Sequence, residues 1–338
     1  MKSSSISHRV VTIGDGAMAT VCSLILASRG CAVTILGRHA DQLAVMEADR
    51  ENKKYLPGVK ISDGVHFTAD PAAAFNDCQL IVCGIPTQFI RGTLGRLAGY
   101  IPAGLPVISI SKGIENETLL RPSQIIQQVL GARPVAALSG PNLAGELARQ
   151  LPATAVVASA DEGLALQAQS LFTTRALRIY RHHDLIGVEL GGALKNVIAV
   201  AAGMLDGLKA GNNAKASLLT RGLVEIARLG VAMGAEAETF AGLAGLGDLV
   251  TTCVSPEGRN RSFGERVGRV EKVADVLAAM VGVVEGLPTT RSVISLAQRH
   301  NVEMPISQSL YQVLFEDKSP QEGIRDLMAR DPKHEAED

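Results

Sequence analysis

The sequence predicts an α/β fold, a doubly wound sheet in its first half followed by an all-helical second half. Three observations predict it. Up to about residue 185 short β-branched runs alternate with helical stretches, the pattern of a parallel sheet covered by helices on both faces. Beyond that point apolar residues recur at helical spacing with little alternation. The 338 residues, 46% hydrophobic and 20% charged, exceed one ordinary domain of about 100 to 200 residues and supply ample side chains for a core. We expect a first domain over residues 1–185 and a helical domain over residues 186–338.

Taken in order, strands are expected at Arg9–Ile13, Ala32–Leu36, Val65–Thr68, Leu80–Ile85, Val107–Ser111, Val135–Leu138, Ala155–Ala158 and Leu177–Tyr180. Four of them run into Gly14-Asp15-Gly16, Gly84-Ile85-Pro86, Ser111-Lys112-Gly113 and Ser139-Gly140-Pro141. Carboxyl ends of strands line the ligand crevice in open α/β sheets, so these turns are expected to converge. In the second half Ile186, Leu190, Leu194, Val197, Ile198, Ala201 and Leu205 mark one long helix, and Leu218, Leu219, Leu223, Ile226, Ala227 and Val231 a second. Val273–Met280 and Ser292–Arg299 suggest two more. The charged tail from Arg330 is expected to fray.

Composition excludes several function classes. Thirty-three basic against 34 acidic residues give a net charge of −1, no broad field for nucleic acid or an anionic membrane. With no Trp, 4 Tyr and 7 Phe, stacking platforms for bases are not expected. Cys22, Cys31, Cys78, Cys83 and Cys253 contain no C-x-x-C pair and read as small core residues of a reducing compartment, the cytoplasm. Met1–Ser7 is short and polar, unlike a secretion signal or transit peptide. The longest apolar stretch, Ile186–Leu208, is broken by Glu189, Lys195 and Asp206, so it reads as a buried helix rather than a membrane span. Adjacent His182 and His183, followed by Asp184, should project divergently with no third ligand at metal spacing, so no metal is expected. Hydrolase elbows, zinc-protease helices and phosphate loops ending in Gly-Lys-Ser/Thr are absent from the sequence.

The first strand, then Gly14-x-Gly16-x-x-Ala19, then an apolar helix through Val21–Ala27, form a dinucleotide fingerprint of Rossmann type in its proper context. Gly14 permits the tight turn and Gly16 lets a pyrophosphate approach the backbone. Small Ala19 lets the helix pack on the strand, with phosphates at the helix N-terminus. About 20 residues on, where a carboxylate would bind a ribose 2′-hydroxyl, the chain reads Leu36-Gly37-Arg38-His39. Arg38 can grip a 2′-phosphate, so NADP(H) is favoured, with NAD(H) as a second cofactor. Lys112 ends a strand, and Lys195 sits inside an otherwise apolar helix, where an ammonium is costly without a task or partner. Such a lysine either exchanges a proton with an alcohol or carbonyl, or it snorkels or pairs with Glu189 or Asp206. This feature alone leaves both open.

Gly187-Val-Glu-Leu-Gly-Gly-Ala-Leu-Lys195-Asn196 resembles the catalytic-helix signature of NAD(P)-dependent glycerol-3-phosphate dehydrogenases of the bacterial biosynthetic type. Ser139-Gly-Pro-Asn-Leu-Ala144-Gly-Glu146, Ser111-Lys112-Gly113, Thr220-Arg221-Gly222, Gly245-Leu-Gly-Asp248-Leu, Gly258-Arg259-Asn260-Arg261 and Val283-Val-Glu285-Gly286 resemble further family blocks, in order, from Val10 to about Leu314. The resemblance implies interconversion of dihydroxyacetone phosphate and sn-glycerol 3-phosphate for glycerophospholipid synthesis, by a homodimer. It makes Lys195 the proton acceptor or donor, has Lys112 touch substrate and cofactor, and has Asp248 orient Lys195 and the substrate hydroxyls. Gly258, Arg259 and Asn260 would hold the substrate phosphate, Arg259 also the cofactor, and Gly140 and Asn142 would line the substrate site. Ala17 and Met18 would lie against the pyrophosphate, Ala144 would touch the cofactor, and Val283 and Glu285 would close over the nicotinamide. Ala19, Met18, Asp15, Gly258 and Lys215 depart from the usual residues. Gly258 removes a hydroxyl from the implied phosphate shell, and Lys215 loses an arginine's planar fork. Two rivals remain: a two-domain dehydrogenase of β-hydroxy or sugar acids, against which Arg259-Asn260 argues, and a non-catalytic NADP sensor, against which Lys112, Lys195 and Asp248 together argue.

Overall fold

The computed structural model describes residues 8–332, 334 and 335; the readings made on Met1–Ser7, and on residues 333 and 336–338 of the tail, lie outside them. Among the described residues ten strands form: Arg9–Ile13 (β1), Ala32–Leu36 (β2), Glu51–Asn52 (β3), Leu56–Lys60 (β4), Val65–Thr68 (β5), Leu80–Cys83 (β6), Val107–Ser109 (β7), Val135–Ser139 (β8), Ala153–Ser159 (β9) and Leu177–His182 (β10). Eight make one sheet in the order β10-β9-β8-β7-β6-β1-β2-β5. All neighbours in it run parallel except β8 and β9. Every residue of β6 and β8 is buried, as expected of strands covered on both faces. Because β1 lies between β2 and β6, the winding reverses there, and Gly14 stands at the switch point where such sheets bind ligands.

The remaining two strands, β3 and β4, form a small antiparallel hairpin that the sequence reading did not anticipate. Its value to the nucleotide turn is local. Asn52, 1% exposed, donates to the Asp15 carbonyl at 2.8 Å and to Thr20 Oγ1 at 2.9 Å, which ties the fingerprint turn to the first turn of its helix.

By its packing the chain divides into two compact units. One runs to Ser111 and resumes over Pro122–Leu185; the other joins Lys112–Arg121 to the chain from Ile186 onward. Segment Lys112–Arg121, read from the sequence with the first half, therefore packs with the helical unit, to whose core Ile114 and Leu119 contribute.

Helix Leu185–Gly207 is the axis of the helical unit, buried without a break from Gly187 to Val200. Length and composition alone would let it cross a membrane, yet 83% of its apolar window is buried inside the protein. Helix Arg259–Gly268 meets it at backbone contact. A Cβ on Gly203 would stand 2.0 Å from the Arg261 carbonyl, and one on Gly264 2.0 Å from that of Val200, so only glycines permit this approach. The crossing fixes where Arg259 and Asn260 stand relative to the long helix.

Helix Asn212–Ala232 carries a buried carboxylate, Glu225, only 3% exposed. It accepts from Ile306 N at 2.6 Å, Ser307 N at 3.2 Å and Ser307 Oγ at 3.1 Å, so it caps helix Pro305–Phe315, which has no side-chain cap of its own. Burial outweighs these bonds and pushes its carboxyl from 4.5 up to about 7. A folded-state value above the unfolded one means the native state holds a proton the unfolded chain has released. The contribution to stability is then full below about pH 4.5 and is lost as pH rises through about 7, up to roughly 3 kcal/mol. Thermal midpoints should fall across that window in the native protein, and Glu225→Ala should remove that part of the slope. An unchanged slope would refute the assignment.

Candidate active site

The sheet unit supplies a phosphate cradle. Gly14 takes φ +111°, and a Cβ there would stand 2.8 Å from the Gly84 carbonyl, so the turn requires glycine. Around Gly16 a Cβ would meet nothing within 4 Å, which leaves open space beside the backbone. Gly16 caps helix Ala17–Ser28 with no side-chain hydrogen bond and no acidic residue in the first turn. Its leading N–H groups are therefore available to an anion, as a pyrophosphate needs. Ala17 and Met18 open that helix, half-buried. Asp15 faces aside, accepting from Gln42 Nε2 at 3.1 Å. Arg38, past the end of β2, is exposed and has no carboxylate at ion-pair distance among the described residues. Gly140, at φ +112°, follows β8, and Asn142 and Ala144 follow it, half-buried, on the same unit.

The helical unit supplies the charged cluster. Lys195 is 6% exposed and does not snorkel; its Nζ reaches Asp248 Oδ1 at 2.8 Å and also Thr252 Oγ1. Lys112 Nζ takes the other carboxylate oxygen, Oδ2, at 2.7 Å. Two ammonium groups thus share one carboxylate that is itself 2% exposed. The alternative partners are engaged elsewhere, Glu189 with Arg121 and Asp206 with Lys215 and Arg261. A row of amides runs beside the cluster. Gly286 N donates to Asn260 Oδ1 at 2.9 Å, Asn260 Nδ2 to Asn196 Oδ1 at 2.8 Å, and Asn196 Nδ2 to the Lys112 carbonyl at 2.9 Å.

Arg259 and Asn260 begin helix Arg259–Gly268, whose cap, Gly258, makes no side-chain bond. Arg259 is exposed and, among the described residues, unpaired by any carboxylate; its guanidinium lies where a Cβ on Gly282 would be, 2.6 Å from Nη1. Val283 and Glu285 follow, half-buried, Glu285 capping helix Gly286–His300. So the sheet unit carries Gly14, Gly16, Ala17, Met18, Arg38, Gly140, Asn142 and Ala144, and the helical unit carries Lys112, Lys195, Asp248, Gly258, Arg259, Asn260, Val283 and Glu285.

Two family models match the chain, the N-terminal part of NAD-dependent glycerol-3-phosphate dehydrogenase over residues 9–165 and its C-terminal part over residues 184–325. The chain belongs to the NAD(P)-dependent glycerol-3-phosphate dehydrogenase family. It is 43% identical to the NAD(P)+ glycerol-3-phosphate dehydrogenase of Geobacter sp. strain M21, covering 97% of this chain and 99% of that one. The Geobacter sulfurreducens relative is 45% identical at the same coverage. The crystal structure of glycerol-3-phosphate dehydrogenase from Coxiella burnetii superposes with a TM-score of 0.93 at 34% identity, covering 96% and 99% of the two chains. As a member of this dehydrogenase family the protein is an oxidoreductase of Rossmann-type architecture that takes a nicotinamide cofactor.

Three of the departures from the family pattern have local explanations. Ala19 stands against Gly84, where a second Cβ would lie 2.8 Å away, so the opposing glycine makes room for the extra methyl. Lys215 still reaches both Asp206 oxygens, at 3.0 and 2.8 Å, while Arg261 takes Oδ2 at 2.7 Å. At Gly258 a Cβ would sit 3.1 Å from the Thr252 carbonyl and 3.3 Å from that of Ser255, a tight berth for the usual serine. The sequence reading missed Thr252, although its signal was present. It lies four residues after Asp248 on one helix, the spacing that places two side chains on one face. Asn196 was quoted only as part of a motif, and its contacts become visible only once Lys112 is seen beside it. The histidine pair needs correction. His182 and His183 stack at 5.1 Å with 23° between planes rather than diverging, because β10 ends at His182 and strand alternation lapses. All five cysteines are buried thiols, and burial raises Cys253, next to Thr252, to about 12.

Proposed function

We propose that this enzyme reduces dihydroxyacetone phosphate to sn-glycerol 3-phosphate with NADPH, reversibly, for glycerophospholipid synthesis, in the cytoplasm and as a homodimer. The observation that carries the reading is the buried carboxylate shared by two lysines. When bound, the nicotinamide supplies the hydride or takes it up. Lys195 gives its proton to the ketone oxygen in reduction and removes it from the secondary alcohol in oxidation. Asp248 holds Lys195 in place through Oδ1, Thr252 adds a second contact, and Lys112 brings a positive charge to the substrate oxygen as negative charge develops there. Arg259 and the leading N–H groups of its helix meet the substrate phosphate, joined by Asn260. The family resemblance assigns Gly140 and Asn142 to the substrate, Ala144 to the cofactor, and Val283 and Glu285 to the cofactor's nicotinamide end.

A phosphate clamp implies discrimination. Dihydroxyacetone, which lacks the phosphate, should be turned over with kcat/KM at least about a thousandfold lower, since remote binding energy is expressed at the reacting centre. Equal turnover of the two would refute the reading. Cofactor choice supplies a second test. Arg38→Ala should lower kcat/KM for NADPH by about tenfold to a hundredfold, the worth of a charge-assisted contact, and leave NADH nearly untouched. Parallel losses for both cofactors would place the 2′-phosphate elsewhere.

A further inference from the structure

Segment Lys112–Arg121 is a strap held along one face of the long helix at both ends. Near its start, Asn196 donates to the Lys112 carbonyl at 2.9 Å. At its end, the Arg121 guanidinium pairs with Glu189, whose side chain is 1% exposed. Glu189 and Asn196 are seven residues apart, close to two full turns, so they share a face and stand about 10 Å apart along the axis. Between these grips Ser292 Oγ bonds the Ile114 carbonyl at 3.2 Å and Asn116 Oδ1 at 2.7 Å. The strap takes an unusual path. Glu117 and the buried Leu119 adopt φ +63° and +60°, a left-handed conformation that side-chain-bearing residues rarely hold unless their surroundings fix it.

A buried ion pair contributes little net stability compared with an apolar pair of the same shape, because desolvation offsets its attraction. Specific geometry is the better account of it. We propose that Arg121–Glu189 is a positioning pair, the far grip of the strap, that sets Lys112 on Asp248 and so acts on the reaction through Lys112. This rests on the function proposed above.

The test is a double-mutant cycle on kcat/KM for dihydroxyacetone phosphate, with NADPH affinity followed by fluorescence and folding by thermal melting. Glu189→Gln should lower kcat/KM by about tenfold or more and change NADPH affinity much less, because the Gly14–Gly16 turn that takes the pyrophosphate keeps its own tie to Asn52. In a Lys112→Ala background the same substitution should cost less than about twofold, since its target is gone. Substrate affinity measured by calorimetry with NADP+ present reads the same cycle when Lys112→Ala is too slow to assay. If Glu189→Gln does not fold, Glu189→Asp, which keeps the charge and withdraws it by one methylene, takes its place with the same expectation. An equal penalty with and without Lys112, or no penalty in a folded variant, would overturn the proposal. A native enzyme that binds NADPH and leaves dihydroxyacetone phosphate unchanged would instead refute the function on which it rests.

Discussion

Lys195→Ala should lower kcat for dihydroxyacetone phosphate reduction by roughly a hundredfold to ten-thousandfold, the range typical for loss of a positioned general acid. Lys195 is enclosed in a buried, largely apolar stretch of its helix, and its Nζ is directed at Asp248 and Thr252. Truncation leaves Asp248 still paired with Lys112, so the carboxylate is not stranded and the fold should survive. NADPH affinity should stay within about twofold, because the deficit belongs to the transition state rather than to cofactor binding. Steady-state kinetics beside a fluorescence titration check both parts. A kcat within threefold of the native value would remove Lys195 from the proton path.

Asp248→Asn should damage stability and turnover together. The amide is nearly isosteric, but it cannot neutralise either lysine, and two ammonium groups then face each other in a site from which water is largely excluded. Removing one partner of a buried ion pair costs roughly 3–5 kcal/mol. Urea midpoints should drop accordingly, and kcat should fall by about a hundredfold or more as Lys195 loses its orientation. Adding Lys112→Met to Asp248→Asn restores the charge balance, so it should recover much of the lost stability and none of the activity. If the single variant melts like the native protein, the shared carboxylate is not what holds the two lysines.

Most of the fold was legible in the sequence because its signals are local. The eight sheet strands stand out as short apolar runs rich in β-branched residues, four of them running into glycine-bearing turns, and the long helix as unbroken 3.6-residue periodicity. The hairpin of β3 and β4 was not legible, since Glu51-Asn52 is too short and too polar to read as a strand; Asn52 matters through contacts with Asp15 and Thr20, more than 30 positions away in the chain. The antiparallel turn between β8 and β9 left no mark either, because both strands are buried and apolar whichever way they run. The chemistry-bearing residues were legible one by one as motifs, but spacing alone did not give their pairing. It offered Glu189 and Asp206 as partners for Lys195 because they are near in the chain; Asp248, 53 residues away, was named only through the family resemblance, and packing brings it up. The path of Lys112–Arg121 was hidden for the same reason. It depends on which surface the strap meets, not on its own composition.

Reduction of dihydroxyacetone phosphate by this chain is tested by the loss of absorbance at 340 nm when purified protein meets dihydroxyacetone phosphate and NADPH, with the product assayed as sn-glycerol 3-phosphate and β-keto acids run in parallel. Rapid oxidation with one product molecule per NADPH consumed, and negligible turnover of the keto acids, is the expected result. Tight NADPH binding without turnover, or preference for a β-keto acid, would contradict it.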